Sequence, residues 1–356
     1  MQQTDFQATL SQAKCSSPEY VRLSMAAAMA LGYRKGWFWR GAKCWCINLL
    51  QTYPSGCLAN CAYCGLARQR QGDYEDKSFI RVEWPLVAYE DVLQRIQAKG
   101  EGVKRLCISM VTSKQSALDV FPMLEQARKI APAVPRSVLI TPTVVDKAWL
   151  EAIKAAGADY CGIAVDAATP ELFDLRRGTG VKGPHKWDTY WQRVREAIEV
   201  FGKGKLSLHL VFGLGETELE FCEAMQRVVD EGARIHLFSF YPEPGSAMAD
   251  VAPPPMEGYR RMQLAAATLE RGWARVEDFT FAADGRLRQL GISPEQLELL
   301  LAEGAVFMTR GCPAVSGELA CNRPYANERP DDVLRNYPFY PNTEDLALIR
   351  ETVKLD

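Results

Sequence analysis

Three cysteines stand at C-x3-C-x2-C spacing within residues 56–65, at positions Cys57, Cys61 and Cys64. Three thiolates on one loop cap three irons of a cubane cluster, and the fourth iron keeps an open coordination position. A structural zinc site is the alternative, but such a site prefers four closed ligands, commonly paired as C-x2-C. Because the chain also has only three histidines, the spacing favours a [4Fe–4S] cluster that accepts one further ligand.

A second group of cysteines is split between two distant parts of the chain. Cys44 and Cys46 precede the first motif, whereas Cys312 and Cys321 lie in a C-terminal segment dense in Pro, Asn and Arg. These four thiolates would be enough for a second, auxiliary [4Fe–4S] cluster. The alternative is that some are inert core cysteines. The remaining cysteines are scattered, at Cys15, Cys107, Cys161 and Cys222.

Strand-like and helix-like runs alternate between these two groups. Six short runs rich in Val, Ile and Leu are typical of buried parallel strands, at 45–52, 105–111, 137–141, 160–165, 205–214 and 234–241. Amphipathic patterns predict helices at 89–98, 116–131, 146–156, 187–201, 216–231 and 256–270. Asp146 and Thr217 are predicted N-caps, and Gly157 and Gly232 stand where helices should end.

Six β–α units in series predict an α/β fold, a partial (β/α)6 TIM-like barrel with right-handed crossovers. A helical segment over 18–35 is expected before it, and a loop-rich extension after it. The domains expected are an N-terminal helical segment at 1–40, the barrel at 41–250 and the extension at 251–356. In such barrels the chemistry collects at the C-terminal ends of the strands.

Composition excludes several classes of function. The formal net charge of -2 and pI of about 6.1 do not provide the basic surface that general nucleic-acid binding needs. Residues 1–14 contain no apolar signal core, and no apolar run is long enough to span a bilayer. We therefore expect a cytoplasmic protein without nucleic-acid or membrane partners, in which a disulfide framework is unfavourable.

The C-x3-C-x2-C motif, with the aromatic Tyr63 before its last cysteine, resembles the signature of the radical S-adenosylmethionine (SAM) superfamily. The resemblance covers about residues 44–249. It implies that Cys57, Cys61 and Cys64 hold a [4Fe–4S] cluster and that SAM chelates the open iron through its amino and carboxylate groups. One electron then cleaves SAM to methionine and a 5′-deoxyadenosyl radical.

The same resemblance points to SAM-binding residues at the strand ends. The sequence lacks the family's Gly-Gly-Glu-like turn after the second strand, where Ser109 and Thr112 are possible substitutes. Asp166 lies in a segment resembling the family pattern at the end of the fourth strand and would touch SAM or fix an arginine. Arg176 or Arg177 would then pair with the SAM carboxylate. The alternatives are ordinary strand-end hydroxyls and a surface helix end.

Gly213 and Gly215 follow the fifth strand, at a turn where glycine lets the backbone approach a ligand closely. Family members use this region around adenine and ribose. The loop 242–246, after the sixth strand, is expected to cover adenine. His209 and His236 are interpreted as satisfied core histidines rather than ligands.

The whole chain most resembles the biotin-synthase-like branch, and within it the two-component lipoyl synthases. The segments that carry this resemblance are 183–187 with 211–218, and the tail 311–313 with 321–325. It implies sulfur insertion into an octanoyl chain on a lipoyl carrier protein or domain, with the tail cysteines holding the sulfide-donating auxiliary cluster. A second radical SAM synthase and a low-potential electron donor are the other partners implied. Cys312 and Cys321 stand further apart than that family pattern predicts.

Two other functions remain open from the sequence. A radical SAM enzyme of rearrangement or of metal-cofactor maturation would use the same radical without sulfur donation, so the second cluster would be absent or structural. A non-enzymatic iron–sulfur scaffold is the third class. It is disfavoured by the open three-thiolate loop and by six β–α units, which a carrier does not need.

Overall fold

The centre of the protein is one eight-stranded sheet. The computed structural model describes residues 15–71, 78–324 and 333–355. The sheet's strands are β1 (Tyr20–Leu23), β2 (Cys46–Gln51), β3 (Leu86–Ala88), β4 (Arg105–Ser109), β5 (Arg136–Ile140), β6 (Tyr160–Asp166), β7 (Leu206–Phe212) and β8 (Arg234–Ser239). Their order is β3-β1-β2-β4-β5-β6-β7-β8. Six of these strands are parallel, as the sequence predicts: β2, β4, β5, β6, β7 and β8.

Helices connect the parallel strands and cover the sheet. They are α1 (Met25–Ala30), α2 (Tyr89–Lys99), α3 (Lys114–Ile130), α4 (Lys147–Ala155), α5 (Pro170–Arg177), α6 (Trp187–Phe201), α7 (Glu218–Asp230), α8 (Met256–Glu270), α9 (Pro294–Glu303) and α10 (Thr343–Thr352). Because each crossover between parallel strands carries at least one helix and the sheet has two free edges, β3 and β8, the fold is the predicted partial TIM-like barrel.

Local sequence explains where the helices begin and end. The Thr217 side chain accepts a hydrogen bond from the Glu220 amide, and the Glu220 carboxylate accepts one from the Thr217 amide, which forms a capping box. Asp146 caps α4 through the amide of Trp149. Gly157 and Gly232 have positive φ angles of 107° and 86°, which favour glycine after a helix. Both predicted caps and both predicted stops are confirmed.

The N-terminal segment differs from the predicted helix over 18–35. It begins with strand β1, which pairs antiparallel with both β2 and β3, and only then forms the short helix α1. The sequence of β1, YVRL, buries three of its four residues. By pairing with β2, it covers the edge of the parallel sheet, where backbone groups would otherwise lack partners.

The C-terminal extension folds back onto the barrel and is more regular than predicted. Besides α8, α9 and α10 it contains a small hairpin of β9 (Thr280–Phe281) and β10 (Leu287–Gln289). The buried Arg260 donates to the carbonyls of Leu334 and Arg335, at 2.5 and 2.6 Å. None of the helices within the described residues is long and apolar enough to cross a membrane. The predictions for residues 1–14 and 325–330 lie outside the described residues.

Candidate active site

The three cysteines of the motif face one cavity at the C-terminal ends of the parallel strands. Their loop follows β2, and all three line a cavity of about 250 Å³. Cys61 is buried, whereas Cys57 and Cys64 are half-buried. This is the end of a barrel at which catalytic groups collect.

Backbone amides point at two of these sulfurs. The Thr112 amide lies 3.4 Å from Cys57 Sγ, and the Leu66 amide lies 3.4 Å from Cys64 Sγ. Burial raises the pKa of the Cys61 thiol, and the guanidinium of Arg177 opposes that increase. The amide donors and the guanidinium favour the thiolate, which is the form that binds metal, whereas burial raises the pKa of both Cys61 and Cys64.

The arrangement fits a cluster better than a single ion. Among the described residues no trio of His, Cys, Asp and Glu side chains is grouped around one metal position. In a cubane each thiolate binds a different iron, so the three sulfurs need not converge on one point. Three thiols around a common cavity therefore match the donor set of a three-cysteine [4Fe–4S] cluster.

Asp166 joins the cysteine loop to the end of β6. It has a left-handed φ of 64° and follows an irregularity in the pairing of β6 with β7, which turns its side chain into the cavity. Its Oδ2 accepts a hydrogen bond from Tyr63 Oη at 2.5 Å and lies 3.3 Å from Arg177 Nη1. Strained backbone of this kind collects at functional sites.

The two neighbouring arginines have different surroundings. Arg177 is buried, lines the cavity, and donates to the Val165 carbonyl at 2.8 Å and to Tyr190 Oη at 3.2 Å. Arg176 instead donates from Nε to the Leu214 carbonyl at 3.0 Å and does not line the cavity. Of the pair predicted to bind the SAM carboxylate, only Arg177 therefore stands at the cavity.

The two predicted hydroxyls are also separated. Thr112 lines the main cavity, where its Oγ1 lies 3.2 Å from Thr141 Oγ1. Ser109 lies deeper in the barrel and lines a smaller cavity together with Cys107. The structure thus brings Thr112, but not Ser109, to the cysteine loop.

Gly213 and Gly215 are needed for a tight turn rather than for lining the cavity. The amides of Gly213 and Leu214 donate to the two carboxylate oxygens of Glu216, at 2.5 and 3.0 Å. A Cβ on Gly213, whose φ is 110°, would lie 2.7 Å from Pro254 Cδ. Burial raises the pKa of Glu216. No motif in the sequence indicates this role of the Glu216 carboxylate.

One wall of the cavity comes from a loop for which the sequence predicts no role. Phe79, Ile80 and Arg81 line it, and the Arg81 amide donates to Glu243 Oε2 at 2.7 Å. Glu243, from the loop expected to cover adenine, also lines the cavity. The aromatic and aliphatic residues at 79–82 are the feature of the sequence that could indicate this wall. No neighbouring sequence pattern shows that they contact residue 243.

The second group of cysteines lies at the opposite end of the barrel, where the strands begin. Cys46, Cys312 and Cys321 share one buried cluster with Cys107 and Tyr160. Cys44 is also buried, and its thiol donates to the Cys46 carbonyl at 3.2 Å. Three of the four predicted auxiliary ligands are therefore in one cluster, with Cys44 beside it.

His209 and His236 lie between the two cysteine groups. Their rings meet edge to face with centroids 4.5 Å apart. Burial lowers the pKa of His209 to about 3 and lowers that of His236 strongly, so both are neutral near pH 7. His209 lines the main cavity as well as the smaller one.

Comparison with known proteins agrees with this fold and site. The family model of the radical SAM superfamily matches residues 52–228, which include all three cysteines of the motif. The chain therefore belongs to the radical SAM superfamily. It is a radical SAM enzyme, and membership implies a [4Fe–4S] cluster and SAM as its cofactors.

Solved structures share the fold at low sequence identity. The crystal structure of methylornithine synthase (PylB) has a TM-score of 0.51 and 12% identity, over 69% of this chain and 66% of that one. HydG, a maturase of the [FeFe]-hydrogenase, has a TM-score of 0.50 and 12% identity, over 69% of this chain and 53% of its own. These likenesses concern the fold alone. No curated protein sequence matches the chain.

Proposed function

We propose that this radical SAM enzyme inserts sulfur at unactivated carbons of an octanoyl chain carried on a lipoyl carrier protein or domain. Cys57, Cys61 and Cys64 would hold the cluster that, with SAM and a low-potential electron donor, supplies the 5′-deoxyadenosyl radical. Cys46, Cys312 and Cys321, with Cys44 as the fourth predicted ligand, would hold the auxiliary [4Fe–4S] cluster. The radical would take a hydrogen atom from the carbon to give 5′-deoxyadenosine, and the auxiliary cluster would supply the sulfide that bonds to the carbon and would accept the one electron released.

The lining of the main cavity suits an aliphatic chain. Much of its wall is apolar, with contributions from the cysteine loop, the strand ends and the outer loop, namely Leu50, Leu66, Phe79, Ile80, Val111, Ile140, Val211 and Phe240. An octanoyl chain offers no polar group along its length, so burial of its methylenes would supply most of its binding free energy. The carrier would contribute binding outside the barrel.

The observation that carries the proposal is the continuity between the two cysteine groups. Leu139, His209 and Arg323 each line both the main cavity and the smaller cavity that contains Cys107, Cys312 and Cys321. The two cavities therefore share part of their wall, and a substrate chain bound in the main cavity would lie next to the second group of thiols. Such a neighbouring position is what a sulfur donor would require and what a rearrangement enzyme would not.

The test is an anaerobic assay with the protein reconstituted with heavy-isotope sulfide. The substrates are an octanoyl-lysyl lipoyl domain, the matching peptide and free octanoate, each with and without an added second synthase. We expect 5′-deoxyadenosine and labelled sulfur in the domain or peptide, with little turnover of free octanoate. Equal turnover of free octanoate would argue against a carrier-borne substrate. Release of 5′-deoxyadenosine without labelled product would favour rearrangement or cofactor maturation.

A further inference from the structure

Cys107 faces the barrel interior, in the same buried cluster as Cys46. On β4, Leu106 and Ile108 pack in the main hydrophobic core, whereas Cys107 packs in the separate cluster with Cys46. Because side chains alternate along a strand, Cys107 points away from the helices and into the barrel. The pairing of β2 with β4 sets Cys107 opposite Asn48, two residues after Cys46.

The C-terminal tail carries its two cysteines to this position. The Gly311 amide donates to the Cys321 carbonyl at 2.9 Å, and the Cys321 amide donates to the Cys312 carbonyl at 3.0 Å. This pairing offsets the long spacing of the two cysteines in sequence. Cys312 Sγ then lies 3.9 Å from Ser207 Oγ on β7, inside the barrel.

One polar side chain shows how close the thiols are. Asn48 Oδ1 lies 3.8 Å from Cys46 Sγ and 3.9 Å from Cys321 Sγ. Cys107, Cys312 and Cys321 pack in the same buried cluster as Cys46, and these three line the small cavity together. The four thiols of Cys46, Cys107, Cys312 and Cys321 thus form one buried group contributed by β2, β4 and the tail.

Cys44 has different surroundings. It packs in the main hydrophobic core and lines a side pocket with Ser24, Met25 and Ala26 at the start of α1. Its thiol is directed to the Cys46 carbonyl, at 3.2 Å. Cys44 therefore stands outside the thiol group, on the side of the N-terminal helix.

His236 gives a second, independent indication that a ligand belongs here. Its side chain is only 2% exposed, and neither ring nitrogen has a hydrogen-bond partner within the described part of the chain. It lines the small cavity with Cys107, Cys312 and Cys321. Because leaving a buried polar group unpaired is costly, the ring indicates that a polar or metal-bound group occupies this cavity.

We propose that Cys107, and not Cys44, completes the auxiliary metal centre, so that Cys46, Cys107, Cys312 and Cys321 are its ligands. The inference rests on the proposed function for the nature of the centre, a [4Fe–4S] cluster. The ligand set itself rests on the thiol geometry. Four thiolates can also bind a single zinc ion, but these thiols are not grouped around one metal position in the described residues, which favours a cluster. The experiment distinguishes the two.

The test counts metal in the full-length chain carrying Cys57→Ala, Cys61→Ala and Cys64→Ala, so that only the second centre contributes. After anaerobic reconstitution this parent should hold about four irons and four sulfides per chain, as one cubane does. Because three thiolates can still hold a cubane with one open iron, Cys107→Ser or Cys107→Ala should either lower the iron content or make one iron of the cubane a distinct site in the Mössbauer spectrum. Cys44→Ser, the matched change in an equally buried neighbour, should leave both the iron content and the spectrum unchanged. Circular dichroism of each variant confirms that iron loss is not unfolding.

The outcomes separate the ligand set from the function. An iron content and a Mössbauer spectrum that both stay unchanged in the two Cys107 variants, or a parent that binds no metal, would overturn the inference. Loss of iron in Cys44→Ser, but not in the Cys107 variants, would restore the originally predicted set and leave sulfur insertion standing. Zinc bound in a manner that depends on Cys107, without iron, would support the ligand set while the sulfur-donor function fails.

Discussion

Tyr63 Oη and Asp166 Oδ2 lie 2.5 Å apart, and this contact ties the cysteine loop to the end of β6. Tyr63 stands between the second and third cysteines of the motif, and Asp166 is held in turn by Arg177 at 3.3 Å. Hydrogen bonds to ionised acceptors are stronger than neutral ones. The loop that holds the cluster is therefore anchored to the barrel at one buried carboxylate.

Removing the two partners of this contact should have unequal effects. Tyr63→Phe should lower the free energy of unfolding by about 1.5–3 kcal/mol, the range for hydrogen bonds to charged groups. Asp166→Asn should cost more, about 3–5 kcal/mol, because Arg177 is then left as a buried charge without its carboxylate. Urea denaturation of the cluster-loaded proteins measures both. Equal costs for the two variants would show that Asp166 is not the anchor.

Each cysteine of the motif should be required for SAM cleavage. In Cys57→Ala, Cys61→Ala or Cys64→Ala, two thiolates cannot present the open iron correctly, so release of 5′-deoxyadenosine under a low-potential reductant should be abolished. Cys222→Ala is the control, since Cys222 is buried in α7 with its sulfur 3.9 Å from Met262 Sδ, away from both cysteine groups. Cleavage that persists in any of the three variants would remove that cysteine from the ligand set.

The sequence predicts those elements whose signals are local. Six strands and six helices follow from apolar runs and capping residues, and they fall within a few residues of their predicted positions. The prediction of a helix at β1 is wrong. The segment YVRL forms a strand because it pairs with β2 and β3, and no short sequence pattern encodes that pairing. β propensity depends on the strand's neighbours.

The site, like the fold, is predicted only where its residues are close in sequence. The three cysteines of the motif are neighbours in sequence, so their spacing alone brings them to one cavity. Cys107 lies near Cys312 because the C-terminal tail folds back into the barrel. The alternation of side chains along β4 does not predict that return of the tail. The sequence predicts a ligand contact at Gly213, but in the structure its backbone packs closely against Pro254. A glycine in a turn has the same sequence pattern in both cases.

His185 should make stability depend on pH. Burial, with a contribution from Arg177, lowers its pKa from 6.5 to about 2, while its Nδ1 contacts Thr143 and Tyr190. Below pH 6.5 the unfolded chain therefore binds a proton that the folded protein does not. The contribution of His185 to the free energy of unfolding is fully present above that pH and is lost as the pH decreases toward 2. Between about pH 8 and about pH 6 the free energy of unfolding decreases by about 0.8 kcal/mol because of this group.

The measurement for His185 compares urea midpoints of the wild type and His185→Gln at the two pH values. The variant loses hydrogen bonds at every pH, so its stability should be lower throughout. Its dependence on pH between about 8 and about 6 should be weaker than that of the wild type by about 0.8 kcal/mol. Parallel pH profiles for the two proteins would contradict a depressed pKa at His185.

Arg105 is the residue that holds the cysteine-bearing tail to the barrel. Its side chain is 1% exposed, pairs with both oxygens of Asp159 at 2.7 and 2.9 Å, and donates from Nε to the Pro313 carbonyl at 2.7 Å. The Asp159 contacts fix the plane of the guanidinium, and that plane sets the position of Pro313, directly after Cys312. Lysine cannot reproduce this fork of donors.

Arg105→Lys should therefore loosen the tail and lower the iron content of the proposed auxiliary centre, while SAM cleavage at the other end of the barrel continues. We expect faster amide exchange at Gly311 and Cys321, whose amides donate across the tail pairing, and a stability loss of about 1–3 kcal/mol, since Asp159 is partly exposed and screened. Arg136→Lys, on the neighbouring strand, is the control, because Arg136 donates to the nearby carbonyls of Val134 and Gly157 and not, within the described residues, to the tail. If Arg105→Lys left tail exchange unchanged, or if Arg136→Lys released the tail equally, the tail would be held by other contacts, and the auxiliary centre would not depend on this arginine.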